Sequence, residues 1–312
     1  MNSSDYLSLK DPLFHPGWIE FNERKAGLKA ERLIIGPDKG TAWELETIVY
    51  RNKTGSIINP SRTPYMPMRF HSTSDVISSV NRRKRMAIEK LSILYKNEKI
   101  NKTIKLSPVL SDIRPFVWEG FTVDQLYTYY LDLNKYPHHT SSDIKNKIRK
   151  ALKAGYYFEE SVDYDAIIEC IHAPYKRQRL KHTLFANELS DLHYHMESNG
   201  FTAIICKDKD GQPQGAAILF YSPGGIGMNW TRGMKNLALK DGANSLLMDY
   251  TINFLKSKGC KVCDLGGANI PRISKAKESW GGELIPYFAV SKFSVKNWSI
   301  KKVKKIYQKI RR

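Results

Sequence analysis

The spacing of histidines and cysteines sets the first limit on the chemistry this chain can perform. The sequence has 8 scattered histidines and 4 cysteines, of which Cys260 and Cys263 form a single CxxC pair. A zinc site of that type needs a second pair of ligands at a defined spacing, and none follows. His193 and His195 are two residues apart, which points them to different faces of a predicted helix. The sequence therefore predicts no metal site.

Motifs for covalent and nucleotide chemistry are also missing. The sequence has no GxSxG nucleophile elbow, no Walker A loop and no GxGxxG turn. No cysteine has a neighbouring pattern that marks it as a nucleophile. We therefore expect any reaction to be a direct transfer between two bound substrates, in which positioning and preorganised hydrogen-bond donors supply most of the acceleration.

Lys277 is one candidate for a role in such a transfer. It lies in the segment AKESWGG, in a short predicted helix that leads into a Gly-Gly turn. A cation there can stabilise the oxyanion that develops when an acyl carbonyl is attacked. Loss of one such donor typically slows a reaction about 100- to 1000-fold. The alternative interpretation is an exposed helix lysine, one of many in this chain.

Two further pairs of residues are candidates for the same site. Gly266 and Gly267 directly follow a predicted strand, where they either let the backbone approach a ligand closely or form a tight turn. Trp230 and Arg232 stand at the end of another predicted strand. They are interpreted either as substrate contacts or as a core aromatic residue and a surface cation.

Arginines elsewhere are candidates for gripping a phosphate-bearing precursor. Arg62 and Tyr65 lie in a proline-rich loop at residues 59–70, and Arg149 lies in a basic predicted helix. Arginine suits this task because its planar guanidinium forms bidentate contacts with phosphate. The alternative for each basic stretch is a solvated surface.

The overall composition is that of a globular protein large enough for about two domains. The 312 residues are 41% apolar and 26% charged, with a net charge of +19. No run of about 18 apolar residues is present to span a membrane, and the N-terminal residues lack the pattern of a signal peptide. We therefore expect a cytoplasmic protein, and the basic balance favours a polyanionic partner.

The predicted elements alternate between helices and strands. In the second half, three strands joined by DGQP and SPGG predict an antiparallel meander, and the helices and strands around them predict an α/β fold with a mixed sheet. The predicted strands of that half span 202–207, 214–221, 227–231, 261–267 and 284–290, and its helices span 163–175, 184–198 and 242–258. The first half ends in a predicted helix that stops at Gly155.

One segment of the second half resembles a known family. Residues 242–287 contain a helix with LLM, then KGC, a strand ending in DLGGAN, a short helix with a lysine, and WGGEL.PY. This pattern resembles the second acyltransferase domain of the Fem-type (FemAB/FemX-like) transferases of the GNAT superfamily. TYYLDL followed by IRKA at 148–151 resembles the matching part of the first domain, and the likeness covers about residues 107–290.

The resemblance implies a fold and a reaction. The fold is two tandem GNAT-like domains with mixed sheets, the acceptor side at 1–155 and the acyl-donor side at 156–291. The family usually transfers an aminoacyl group from aminoacyl-tRNA to an amine of a peptidoglycan precursor. Its lysine near the acyl carbonyl is Lys277 by position, with Asn269 and Trp280 among the expected substrate contacts. This chain has Ala276 where the family more often has an aromatic residue.

The donor is the point on which the sequence departs from acetyl-CoA enzymes. Those enzymes of the GNAT superfamily carry a glycine-rich helix start whose backbone amides bind pyrophosphate. The corresponding stretch here, ALKDGANS, has one glycine and an acid, Asp241, which repels phosphate. We therefore expect no bound cofactor and aminoacyl-tRNA as donor. The alternative is an acyl-CoA or acyl-carrier donor acting on an amino sugar of a surface polysaccharide.

The last 21 residues concentrate the positive charge. Residues 292–312 carry nine lysines or arginines and no acid, with apolar residues at helical spacing. This predicts a basic amphipathic helix that lies on an anionic membrane, contacts RNA, or docks on its own domain. The expected partners are aminoacyl-tRNA, a lipid- or nucleotide-linked envelope precursor and the membrane surface. An inactive RNA- or membrane-binding module is the remaining alternative.

Overall fold

The computed structural model describes residues 6, 9–181, 183–196 and 200–292. The predicted basic helix at 292–312 lies outside these residues, apart from Lys292. The chain forms two compact units, the first made of residues 1–27 and 126–286, the second of residues 28–125 and 287–312. The chain passes from one unit to the other near residues 27, 125 and 286. The division into tandem domains at 1–155 and 156–291 stays a prediction.

The described elements alternate along the chain as an α/β protein requires. A short 3-10 helix, Pro12–Phe14, precedes them. In chain order they are α1 (Pro16–Ala26), β1 (Lys29–Ile35), β2 (Trp43–Arg51), β3 (Ile57–Ile58), β4 (Met68–Ser72), α2 (Ile77–Asn97), β5 (Ile104–Lys105), α3 (Arg114–Trp118), β6 (Phe121–Asp132), α4 (Ser142–Lys153), β7 (Tyr157–Glu160), α5 (Tyr164–Arg177), α6 (Ala186–Met196), β8 (Phe201–Lys207), β9 (Pro213–Tyr221), β10 (Ile226–Met234), α7 (Asn236–Lys240), α8 (Ala243–Ser257), β11 (Val262–Gly267), α9 (Pro271–Glu278) and β12 (Glu283–Lys292).

The sheet of the first unit has the strand order β12-β6-β11-β10-β9-β8-β7. Strands β8, β9 and β10 form an antiparallel meander, which confirms that prediction. Helix α8 then carries the chain across to β11, which pairs in parallel with β10. A parallel pair needs such a crossover, because a short turn can join only antiparallel strands. The mixed sheet confirms the predicted α/β class.

Helices cover both faces of this sheet and form its core. Helix α8 packs on one face together with α4, and α5 packs against β9 and β10 on the other. The inward side of α8 presents Leu247, Ile252 and Leu255, all fully buried. Burial of an aliphatic side chain of this size contributes about 1.5–3 kcal/mol relative to exposure. The core therefore holds β10 and β11 in place at the centre of the sheet.

The second unit has a smaller antiparallel sheet. Strand β2 pairs with β1, β3 and β4, and α2 packs on β1, β2 and β4. The C-terminal part of β12 pairs with β5. Apolar residues of α2 at helical spacing, Ile88, Leu91 and Tyr95, are buried, which fits the amphipathic pattern of that segment.

The turn between α9 and β12 depends on a glycine. Gly281 has φ 78°, and a Cβ there would lie 2.5 Å from both the Cβ and the carbonyl oxygen of His139. Gly259 has nearly the same φ, 77°, but a Cβ there would meet nothing within 4 Å. A side chain at either position would have a strained backbone, but only a side chain at Gly281 would also overlap with a neighbouring residue.

We expect Gly281→Ala to lower the free energy of unfolding by about 1–3 kcal/mol more than Gly259→Ala, because only the former adds overlap to the left-handed backbone. Urea unfolding of both variants measures the difference. Equal losses in the two variants would show that the packing of this turn against His139 is unimportant.

Candidate active site

The candidate site lies where two neighbouring strands of the first unit separate. The parallel pairing of β10 with β11 covers only Ile226–Met228 and Val262–Asp264. Beyond it, β10 shifts register between Asn229 and Thr231, and β11 shifts register against β6 before Gly267. A bulge of this kind bends a strand and interrupts its ladder. The carboxyl ends of β10 and β11 therefore leave a gap in which a ligand can meet backbone groups.

Helix α9 brings Lys277 back to this gap. The Nζ atom of Lys277 donates to the Gly267 carbonyl oxygen at 2.9 Å. Gly266 has φ 78°, and a Cβ there would lie 3.5 Å from Lys277 Nζ and 4.0 Å from the Asn229 carbonyl oxygen. The Lys277 ammonium, the turn at Gly266 and the bulge of β10 therefore lie within contact distance of one another. Three predicted residues, Lys277, Gly266 and Gly267, meet there.

The surroundings of Lys277 lower the pKa of its ammonium group. Burial lowers its pKa to about 8, and the nearby Arg232 acts in the same direction, whereas Asp264 and Cys263 oppose them. An amine with that pKa remains mostly protonated at pH 7. Lys277 is therefore a half-buried cation that can still donate hydrogen bonds at neutral pH.

Arg232 supplies a second positive charge to the same site. Its guanidinium donates to the sulfur of Met248 on α8, and burial lowers its pKa to about 10. Asn229 is held by the same helix, since its Nδ2 lies 3.2 Å from Thr251 Oγ1 and 3.3 Å from Met248 Sδ. Helix α8 thus positions the residues on either side of the β10 bulge. The predicted site residue Arg232 lies within electrostatic reach of Lys277.

Asp264 stabilises the turn at Gly266 through a hydrogen bond. Its carboxylate is 1% exposed and accepts the Gly266 N–H at 2.8 Å. The Thr128 hydroxyl lies 2.5 Å from Asp264 Oδ1 and 2.9 Å from the Gly266 carbonyl oxygen. These contacts fix the backbone that accepts from Lys277. Sequence reasoning missed Asp264 and Thr128 as site residues, although an acid two residues before a glycine pair at a strand end was a usable signal for Asp264.

A second buried carboxylate, Asp11, lies near Asp264. Asp11 is 3% exposed and caps the 3-10 helix, with Oδ1 accepting the Leu13 N–H at 2.9 Å. Its Oδ2 has no hydrogen-bond partner among the described residues. Burial raises the pKa of Asp11 to about 7, and the charge of Asp264 acts in the same direction. The hydrogen bond from the Leu13 N–H opposes this rise. The Lys10 carbonyl accepts the Ile226 N–H at 2.8 Å, which places Asp11 beside the start of β10.

Nothing in the local sequence could have placed Asp11 here. The aspartate precedes a proline and reads as an ordinary turn cap. Its proximity to Asp264 arises only from the docking of the N-terminal segment on β10.

The structure gives other predicted residues different surroundings. Trp230 packs in an aromatic cluster, 4.7 Å from Phe220 and 5.7 Å from Trp18 between ring centroids. Asn269 clamps the backbone of Tyr127, accepting its N–H at 2.8 Å and donating to its carbonyl at 3.3 Å. These contacts give both residues a structural task, and their substrate contacts stay predictions.

The remaining predicted residues lie away from Lys277 Nζ or belong to the second unit. Trp280 is 3% exposed, and its ring stacks on Tyr136 with a centroid distance of 6.5 Å. Arg149 is on the exposed side of α4 and donates to Asn146 Oδ1 at 2.6 Å. In the second unit, Tyr65 is 1% exposed, and Arg62 has a left-handed backbone with φ 64°. A role in binding a precursor stays a prediction for all four.

The start of α8 is closed by packing. A Cβ at its cap, Gly242, would lie 2.5 Å from the Lys147 carbonyl oxygen of α4. The neighbouring Asp241 accepts the Tyr156 hydroxyl at 3.0 Å and lies 3.7 Å from Lys150 Nζ. The cap of α8 therefore packs closely against α4, and an acid lies beside it.

Two further searches concern only the described part of the chain. Within it, no group of three or more His, Cys, Asp or Glu side chains could hold a metal ion. No helix in those same residues has the length and apolar character needed to cross a membrane.

Comparison with known proteins identifies the fold around this site. Residues 138–272 match the acetyltransferase (GNAT) domain family. The structure is similar to that of FemX, with a TM-score of 0.62 and 13% identity over 92% of this chain and 96% of that one. It is also similar to L-PGS from Bacillus licheniformis, with a TM-score of 0.53 and 10% identity over 95% and 97% of the two chains.

A third similar structure is the C-terminal domain of a putative lysylphosphatidylglycerol synthetase from Agrobacterium fabrum. Its TM-score is 0.50 at 10% identity, over 85% of each chain. No curated protein matches the chain in sequence.

These findings define the class of the protein. The GNAT match includes α8, the separating strands β10 and β11 and the beginning of α9, so the gap lies within the matched residues. The match of residues 138–272 to an acetyltransferase (GNAT) domain supports an acyltransferase, and the fold of the chain is of the Fem type. The predicted resemblance and the predicted enzyme class are confirmed at this level.

Asp11 makes stability depend on pH. A carboxyl group with an unfolded pKa of about 4 and a folded pKa of about 7 favours the folded state less as the pH rises between these values. Asp11→Asn keeps the acceptor for Leu13 and removes the ionisation. We therefore expect the variant to lose less stability than wild type between pH 4 and pH 8, by on the order of 4 kcal/mol.

Denaturant unfolding across this pH range checks the expectation, and Asp210→Asn in the exposed β8–β9 turn is the control. Parallel curves for wild type and Asp11→Asn would mean that Asp11 ionises in the folded state as it does in the unfolded chain.

Proposed function

We propose that the protein forms an amide bond on an amine of a cell-envelope component, with aminoacyl-tRNA as the acyl donor. The observation that carries the proposal is the half-buried Lys277 ammonium held at the gap between β10 and β11. In this reaction the acceptor nitrogen attacks the ester carbonyl carbon, and the new C–N bond replaces the C–O bond to the tRNA. The ribose hydroxyl leaves with a proton, and the acceptor amine loses one.

Lys277 and Arg232 have the charge that the transition state needs. Attack on the ester turns the carbonyl oxygen into an oxyanion, and a cation already in place stabilises it without further reorganisation. Burial strengthens this interaction because less water screens the charges. Asp264 contributes indirectly, since it holds the Gly266 turn against which Lys277 is anchored.

The packing at the start of α8 supports the choice of donor. The Lys147 carbonyl and Asp241 present negative charge or lone pairs where the pyrophosphate of coenzyme A would lie in an acetyl-CoA enzyme. Backbone amides at a helix start attract phosphate only when they are accessible. The competing donor is acyl-CoA or an acyl carrier, which the description of the matched domain as an acetyltransferase favours.

The similar structures support an acceptor in the cell envelope. One of them is a putative lysylphosphatidylglycerol synthetase by name, and that name describes an amino acid joined to a lipid. The predicted contact of residues 292–312 with a membrane or an RNA and the predicted cytoplasmic location fit this proposal.

The donor assay follows label from a pool of radiolabelled aminoacyl-tRNAs into lipid-linked or nucleotide-linked envelope precursors. We expect transfer that ribonuclease abolishes. Transfer of label from acyl-CoA, with none from tRNA, would instead indicate an enzyme that N-acylates a surface amino sugar. Silence from both donors would contradict the enzymatic proposal and favour a binding module.

Lys277→Ala tests the site itself. We expect transfer to fall about 100-fold or more, because the oxyanion loses its cation, while the thermal unfolding midpoint stays close to wild type. Lys275→Ala is the matched control, since Lys275 lies on the exposed side of the same helix. Activity of Lys277→Ala within a few-fold of the control would exclude Lys277 as the oxyanion donor.

A further inference from the structure

A cavity of about 140 Å³ lies in the first unit beside the turn between α9 and β12. Its lining combines buried aromatic side chains with polar groups at the rim. Trp280 is part of that lining, and its backbone N–H donates to the Lys277 carbonyl oxygen at 3.0 Å. The cavity therefore adjoins the backbone that carries Lys277, but none of its lining residues belongs to β10 or β11.

The aromatic side chains form a rigid wall. Tyr6 is 4% exposed and meets Tyr130 edge-on with a centroid distance of 5.1 Å. Trp280 stacks on Tyr136 in the same lining. Aromatic rings attract cations through the negative charge of their faces, by about 0.5–2 kcal/mol depending on how much water is excluded.

Carboxylates stand at the rim of the same cavity. Glu283 Oε2 accepts the Tyr6 hydroxyl at 2.9 Å. Asp132 has a side chain 15% exposed, and its Oδ2 lies 3.8 Å from Lys135 Nζ. The Lys135 side chain is 61% exposed, and a surface ion pair of this kind contributes only about 0–1 kcal/mol. Lys135 can therefore move aside when another cation approaches Asp132.

We infer that this cavity binds a primary alkylammonium group. The two carboxylates outnumber the one lysine among its lining residues, so a cation is the favoured charge. At about 30 Å³ for each water-sized group, the volume holds about five such groups, which is the size of butylammonium. The inference concerns binding alone and does not depend on the proposed transfer reaction.

Calorimetry with butylammonium chloride on the full chain tests the inference, with 1-butanol as the neutral control of similar size. We expect butylammonium to bind at least about tenfold more tightly than 1-butanol, because charge-assisted hydrogen bonds to the half-buried Asp132 and the exposed Glu283 are worth more than neutral contacts. Equal affinities for the two probes would overturn the inference.

Variants locate the binding. We expect Glu283→Gln and Asp132→Asn each to weaken butylammonium binding about fivefold or more, since each removes a negative charge but keeps an acceptor oxygen. Glu278→Gln is the control, because Glu278 is exposed on α9 and does not line the cavity. Unchanged affinity in both rim variants, with wild-type unfolding midpoints, would place any binding elsewhere.

The ammonium group can belong to a lysine-like side chain or to a free diamine. Parallel titrations with Nα-acetyl-lysine amide and cadaverine distinguish these sources. Tighter binding of the first indicates a peptide amine, and tighter binding of the second indicates a soluble diamine. Failure of both to bind, as of butylammonium, would contradict the inference without bearing on the transfer assay.

Discussion

The separation of β10 from β11 is the constraint on which the candidate site depends. Parallel strands in a sheet satisfy one another's backbone groups, so two strands that part must find other partners. Here the Asp264 carboxylate accepts the Gly266 N–H, and the Lys277 ammonium donates to the Gly267 carbonyl. These side-chain hydrogen bonds replace the backbone hydrogen bonds that the two strands no longer share. A reactive gap and its charged groups are consequences of the same break in strand pairing.

The charges around the gap include both opposing and like pairs, since Asp264 favours the charged form of Lys277 whereas Arg232 disfavours it. Burial lowers the pKa values of Lys277 and Arg232 and raises that of Asp11, so each group alone would tend toward its neutral form. Asp264 opposes that tendency for Lys277. Lys277 keeps its proton at neutral pH because the lowered pKa, about 8, still lies above 7.

Local sequence patterns predicted much of this architecture. The meander, α8, β11 and α9 follow from turn residues, apolar spacing and the glycine after Lys258, and Lys277 follows from its motif. Asp11 and Thr128 could not be found in that way, because each reaches Asp264 from more than 130 positions away along the chain. For Trp230 the sequence left two interpretations, and the structure adds that the rings of Trp230 and Trp280 both pack against other aromatic side chains. Strand β7, short and largely exposed, has no apolar alternation to reveal it.

The pairing of Lys10 with Ile226 has a consequence for how the chain folds. The segment around Lys10 has its binding surface on a strand that is synthesised more than two hundred residues later. Until β10 and its neighbours exist, Trp18 and Leu13, both fully buried in the finished protein, have no core to enter. Contacts of such long sequence separation form slowly and leave apolar surface open in the meantime. The segment from Lys10 to Trp18 is thus synthesised well before β10 and is among the last parts of this unit to become native.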